Sequence, residues 1–170
     1  MIYPTVIVQF SKLLGNLTAM LDKAAEHAAA KKFDMEVLLQ ARLAPDQFSL
    51  IRQVQVACDT AKLGAARLAD KESSAPSHPD TEQTLAEITA RVQSVMAYLG
   101  TFSAADFAGA AERRITTPRW KGKSLSGEEF LTQHAVPNMY FHVTTAYAIL
   151  RHNGVDVGKK DFLGELPYRD

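Results

Sequence analysis

The stretch Leu85-Ala-Glu-Ile-Thr-Ala-Arg-Val-Gln-Ser-Val-Met-Ala-Tyr-Leu99 decides the class of fold. Leu85, Ile88, Val92, Val95 and Leu99 recur at alternating three- and four-residue steps, which lays one apolar stripe along one side of an α-helix. The spacing predicts a helix that starts near Asp80 and stops at Gly100. Such a stripe has to be buried against other elements, and the flanking segments supply them.

Upstream, Val6, Phe10, Leu13, Leu17, Met20, Ala24 and Ala28 repeat the pattern, predicting a helix from about Thr5 to Ala30 with Pro4 in its first turn. Asp34 is expected to cap a short helix reaching about Ala41, and Ala44-Pro-Asp46 to open a long helix over about Asp46 to Asp70. The stretch Lys71 to Pro79 holds two prolines and three serines and forms the clearest break in the chain.

Downstream, Ser103 is expected to cap a single turn around Phe107. Arg113 to Ser124 carries β-branched residues, a proline and a glycine, and predicts a short hairpin or ordered loop. Ser126 and Glu129 form a capping box for a last long helix that runs to Asn153, with Gly154 just past its end. The tail from Val155 to Asp170 is expected to pack back as an irregular strap through Phe162, Leu163 and Leu166. Four long amphipathic helices without an internal repeat predict one all-α domain over residues 1–170, built as a four-helix bundle.

Composition narrows the function. The 170 residues are 46% hydrophobic and 22% charged, which is globular rather than disordered. Lysine and arginine number 19, as do aspartate and glutamate, so the formal net charge is zero. That balance gives no footprint for nucleic acid or an anionic membrane, and it leaves little charge repulsion against a homodimer. A short basic cluster (Arg113, Arg114, Arg119, Lys121, Lys123) stands without a binding motif. Cys58 is the one cysteine, so no internal disulfide or CxxC zinc signature exists. The start lacks a basic leader region and no apolar run is long enough to span a bilayer, so a cytoplasmic location is expected. No Ser-His-Asp order, nucleotide loop or HExxH motif occurs.

Several polar residues fall inside the apolar stripes. On the last helix, Leu131, Ala135, Asn138, Ala146 and Ile149 lie within about 40° of His142 at 100° per residue. His142 and Asn138 therefore face the core, and Pro137 between them removes a hydrogen bond and is expected to bend the helix. On the second long helix, Phe48, Ile51, Asp59, Lys62, Ala66 and Ala69 lie within about 40° of Gln55, and Cys58 within about 60°. Gln55 and Asp59 are thus expected to point inward, with Lys62 as a partner for Asp59. Buried polar groups cost several kcal/mol unless hydrogen-bonded, so the group is either a packing network or a site. Asn138 also has a structural reading, as the donor for the carbonyl that Pro137 leaves free. Trp120 either lines a pocket mouth or anchors the hairpin, and Cys58 reads as an inert core thiol.

The run His134-Ala-Val-Pro-Asn-Met-Tyr-Phe-His142, followed by Tyr147 and Ile149-Leu-Arg-His-Asn-Gly-Val155, resembles a bacterial family, domain-of-unknown-function family 1993. Ala41-Arg-Leu-Ala-Pro-Asp46, Arg52-Gln-Val-Gln55 with Cys58-Asp59, and Gly158-Lys-Lys-Asp-Phe-Leu-Gly164 extend the resemblance over nearly the whole chain. That family is similar to the DinB/YfiT-like superfamily of proposed metalloenzymes. The resemblance implies an up-down-down-up bundle, often dimeric, and in many members a divalent metal on three histidines, one on the second helix and an i, i+4 pair on the last. Some members are thiol-dependent transferases, isomerases or hydrolases.

Here the pair falls on Asn138 and His142, and the remaining position falls near Gln55. An amide oxygen is a weak ligand for zinc or nickel, so one histidine with two amides makes a poor metal site. His134 is two turns, ~12 Å, from His142 along a straight helix, too far to share a metal with it. Asp59 and Cys58 are the better substitutes beside His142 if a metal binds. The expectation is accordingly no cofactor and a degenerate metal site. A polar pocket lined by Gln55, Asp59, Asn138, His142, His134 and Trp120 would bind a small molecule in a homodimer. The alternatives are a metal- or thiol-dependent transferase or hydrolase with His142 as ligand or general base, oriented by Asp59, and a dimeric interaction module.

Overall fold

In the computed structural model, residues 1–169 are described; Asp170, the end of the expected strap, lies outside the described residues. Pro4–Gln9 form a wide π-helical turn that continues into α1 (Phe10–Lys31), so the first helix is as long as its apolar stripe. All seven stripe residues from Val6 to Ala28 are buried. Lys32 closes α1 in the left-handed conformation at φ 61°. α2 (Met35–Leu39) follows, with Asp34 at the cap position but making no side-chain capping bond.

The second long helix, α3 (Leu50–Leu68), starts four residues later than its sequence predicts. Pro45 disfavours helical backbone at the residue before it, and the chain turns instead, with Gln47 N–H donating to Ala44 O at 3.0 Å. Arg42 Nη1 donates to Gln47 O at 2.7 Å, and Leu50 N–H to Ala41 O at 3.0 Å, so the turn delivers the chain to Ser49 and the helix begins there. The third, α4 (Leu85–Leu99), also starts later than Asp80. Thr84 and Glu87 form the capping box, while Asp80 sits at φ 59° in the crossover and spends its carboxylate on Arg52 and Arg91.

Ser103 and Asp106 bracket the turn Ala104–Phe107 as expected. The hairpin forms from β1 (Arg114–Ile115) and β2 (Leu125–Ser126), antiparallel, with Arg114 opposite Ser126 and Ile115 opposite Leu125. Ser126 and Glu129 cap α5 (Gly127–Phe130). A cramped contact seats this corner: a Cβ on Gly127 would lie 1.7 Å from Ala110 O and 3.2 Å from Leu68 Cδ2. The helix then passes through a wide π-helical turn, Leu131–Ala135, into α6 (Val136–His152). Pro137 cannot donate in the ladder and its ring crowds the carbonyl four residues back, and the widened turn absorbs both problems.

The tail is more regular than a strap. α7 (Lys159–Leu163) packs on α1, with Asn16 Nδ2 donating to Phe162 O at 2.8 Å and Lys23 paired with Asp161 at 2.7 Å. Asp161 accepts from Gly158 N–H at 2.7 Å, a capping contact five residues long in reach that a hydrophobicity reading does not register.

Contacts fix the helix directions. Gln53 meets His142, Thr60 meets Asn138 and Gly64 faces Ala135, so α3 and α6 run antiparallel. Gln55 and Asp59 meet Glu82 and Arg91, while Lys71 at the far end meets Phe102 and Asp106, so α3 and α4 run parallel. Gln9 meets Tyr140 and His27 lies beside Gly154, so α1 and α6 run parallel. The order is up-down-down-up, and residues 69–84 make the long return that two parallel neighbours require. Among the described residues, no helix is long and apolar enough to cross a membrane.

Candidate functional site

α3 is buried almost all round because α6 lies on one side of it, α4 on the other, and α1 across the core. Its polar residues consequently divide between two interfaces, where the sequence predicts one pocket.

Toward α4, Arg91 is 2% exposed and holds three carboxylates: Asp80 at 2.6 Å, Asp59 at 2.7 Å and Glu82 at 3.2 Å. Its Nη2 also donates to Gln55 O at 3.3 Å. The expected Asp59–Lys62 pair forms at 2.9 Å, and Lys62 Nζ, which has only hydrogens to give, donates to His78 Nδ1 at 2.8 Å. Gln55 belongs to this side: its Nε2 donates to Glu82 at 2.9 Å and its Oε1 accepts from Arg52 at 3.0 Å. Gln55 therefore does not join His142. The single-stripe reading of α3 placed it there because it treated one face as the buried one.

Toward α6, a cleft of about 460 Å³ opens between α3, α6 and the hairpin. Asp59, Asn138, His142, His134 and Trp120 line it, with Phe130 and Leu63 among its apolar walls. His142 is 6% exposed. The residue that orients it is Gln53, which is fully buried, rather than Asp59, whose Oδ1 is taken by Arg91 and Lys62. Gln53 Nε2 donates to Phe48 O at 3.1 Å, which turns its Oε1 to His142 Nδ1 at 2.7 Å. An amide oxygen can only accept, so His142 Nδ1 carries the proton and, in the neutral ring, Nε2 carries the lone pair. Burial, and then the charge of Arg52, hold His142 below the ordinary histidine value and favour that neutral ring. Nε2 makes no hydrogen bond among the described residues and faces the cleft.

Asn138 is fixed in the same way. Its Nδ2 donates to Thr60 Oγ1 at 2.6 Å, and that hydroxyl donates to Val56 O at 2.7 Å, leaving the Asn138 Oδ1 open. It does not serve the carbonyl freed by Pro137, which the wide turn accommodates. His134 stacks on Phe130 at 5.3 Å and meets Trp120 edge-on at 5.4 Å. Its Nδ1 is buried without a partner, and burial followed by Arg67 lowers its pKa. Trp120, half-buried, both packs against Phe130 and lines the mouth of the cleft.

The donors do not fit a transition metal. Gln55 faces the other interface, the open Asn138 atom is an amide oxygen, and Asp59 Oδ1 is held by two cations. Burial pushes the Cys58 thiol up to about 12, so it offers no thiolate. Among the described residues, no group of three or more His, Cys, Asp or Glu is arranged to hold a metal ion. Gln53, Thr60 and Arg91 are absent from the residues that the sequence singles out. Only the apolar count around α3, too small for a helix with three neighbours, could have drawn attention to Gln53.

A protein-family profile described as "Domain of unknown function (DUF1993)" matches residues 2–163. A crystal structure of a DinB family member protein from Shewanella denitrificans is 60% identical, covering 100% of this chain and 96% of the other, with a TM-score of 0.97. No curated protein matches. The chain belongs to the DUF1993 family, and its fold is the all-α DinB-like bundle.

Proposed function

We propose that this chain binds a small organic molecule in the α3–α6 cleft, without a metal ion, and that His142 Nε2 accepts the hydrogen bond that selects it. The observation that carries this reading is the Phe48–Gln53–His142 relay, which spends a fully buried glutamine on presenting one lone pair to a cleft. A packing network has no need to leave that atom open, because unsatisfied polar groups cost stability. A volume of about 460 Å³ with apolar walls and a few aimed polar atoms is also within the range of ligand pockets.

A fragment screen by ligand-observed NMR tests this reading on the intact chain and on His142→Ala, with far-UV circular dichroism as the folding control. Fragments lost in the variant support it; a blank screen, or hits indifferent to the change, sinks it. Near-stoichiometric zinc, nickel or iron in natively purified protein, vanishing with His142→Ala, overturns the metal-free part.

The same lone pair favours a second reading, in which His142 is the general base of a transfer or hydrolysis reaction, since a neutral imidazole at pH 7 is competent to take a proton. Turnover that falls along an acid limb and disappears in His142→Ala separates catalysis from binding. We also propose a homodimer. Val8 and Phe141, sequence neighbours of the Gln9–Tyr140 pair, are 57% and 56% exposed, and light scattering of the Phe141→Asp variant against wild type reads the assembly directly.

A further inference from the structure

The charge of the cleft is unlike that of the chain. The whole sequence is neutral, yet the cleft is lined by three arginines, Arg52, Arg67 and Arg119, against the single carboxylate of Asp59. Asp59 is already engaged by Arg91 and Lys62. Arg52 is paired with Asp80 and Arg67 with Glu72, but Arg119 has no hydrogen-bond or ion-pair partner among the described residues.

The hairpin that carries Arg119 extends the imbalance. From Arg113 to Gly127 the sequence holds five cationic residues and no acidic one, and none of the five forms an ion pair among the described residues. Like charges gathered without counter-charges cost free energy, and a bound anion relieves it; low-dielectric walls focus the potential inside a cleft. Both cleft histidines respond to it, His134 through Arg67 and His142 through Arg52.

The polar atoms are also sorted by position. Because α3 and α6 run antiparallel, Arg67 and Arg119 lie with Trp120 and His134 at the hairpin end, and the open acceptors of Asn138 and His142 lie toward the other. His134 and His142 are eight residues apart, about 12 Å of helix rise.

We propose that the occupant of this cleft is a small organic acid: a carboxylate at the hairpin end met by Arg119 and Arg67, an apolar or aromatic body along Trp120 and Leu63, and a hydroxyl or amine hydrogen given to His142 Nε2 or Asn138 Oδ1. This deepens the small-molecule reading above and rests on it. Guanidinium forks suit a planar carboxylate, the aromatic wall suits the body, and two acceptors at the far end demand a donor there.

Three probes of one shape test it: 3-(4-hydroxyphenyl)propionate, its neutral amide, and the cation tyramine. Trp120 is the sole tryptophan and stands at the cleft mouth, so its fluorescence reports occupancy of this site, with amide chemical shifts as a second readout. The acid is expected to bind about tenfold or more tightly than the amide, with tyramine weakest. Arg119→Ala, an exposed change that leaves the fold alone, is expected to weaken the acid about fivefold or more and leave the amide unchanged. Equal binding of acid and amide, preference for tyramine, or an acid affinity indifferent to Arg119→Ala overturns the anionic class while the small-molecule reading stands. If none of the three perturbs Trp120 or the cleft amides, both fall together.

Discussion

On the α4 side of α3, Arg91 is almost sealed from water and its two terminal nitrogens reach three carboxylates and a backbone carbonyl, so that only its Nε goes without a partner. On the α6 side, His142 is buried to a similar degree but only one of its nitrogens is used. Burial alone does not separate structure from function here; satisfaction does. Where charges cancel and hydrogen bonds close, the polar group holds the long return of residues 69–84 to α3. Where a relay ends on an open atom, the polar group is available to something else.

The largest effect is expected from breaking the closed side. Arg91→Met strands Asp59, Asp80 and Glu82 and should cost about 2–4 kcal/mol in urea unfolding, near the lower end for an orphaned buried charge because two of those carboxylates keep contact with water. A loss below about 1 kcal/mol would erase the contrast between the two faces.

On the open side, His142→Leu leaves Gln53 Oε1 buried without a donor and should cost about 1–3 kcal/mol. Adding Gln53→Leu should return much of it, because both polar partners are then gone. A double-mutant cycle without that coupling shows that the relay is not what orients the ring.

Acid provides a third test. His78, His134 and His142 are all held below the ordinary value of 6.5, by burial first and then by Lys62 and Arg91, by Arg67, and by Arg52 respectively. Each stays neutral in the fold while the unfolded chain takes up the proton, so stability is full above pH 6.5, falls as pH drops below it, and levels off beneath the folded values. Unfolding midpoints measured between pH 7.5 and 5 should show this fall, with a shallower slope in His78→Gln; equal slopes would falsify the role assigned to the Lys62–His78 contact. The smallest effect on stability is expected for Arg119→Ala, within about 0.5 kcal/mol, since that side chain is exposed and unpaired.

Legibility in the sequence followed the number of neighbours each element has. α1, with one broad buried face, was readable from its stripe, and Ser126 with Glu129 announced the last helix through local chemistry. α3 was readable as a helix but not in its orientation. With three packing partners its buried residues include both Gln53 and Gln55, and a single wheel cannot say which neighbour each one faces. His142, Asn138, His134 and Trp120 were legible as candidates because polar or aromatic residues stood where the pattern or the turn marked them. Arg91 was not, because it looked like one more charged position on the outer side of a regular stripe, and its partners Asp80 and Glu82 sit in a crossover whose path no periodicity encodes.

The wide turn at Leu131–Ala135 also sets a phase between two rigid parts. Everything before it, including Phe130 and the hairpin corner seated by Gly127, is rotated relative to everything after it, including Asn138 and His142. Removing one residue from that turn would leave a continuous α-helix on both sides yet swing its two halves by about 100° about their common axis. The aromatic wall and the hydrogen-bonding floor of the cleft would then no longer meet. The length of five residues between Phe130 and Val136 thus works as a frame, in the sense that a gear tooth does, and a chain one residue shorter there keeps its helices and loses their alignment.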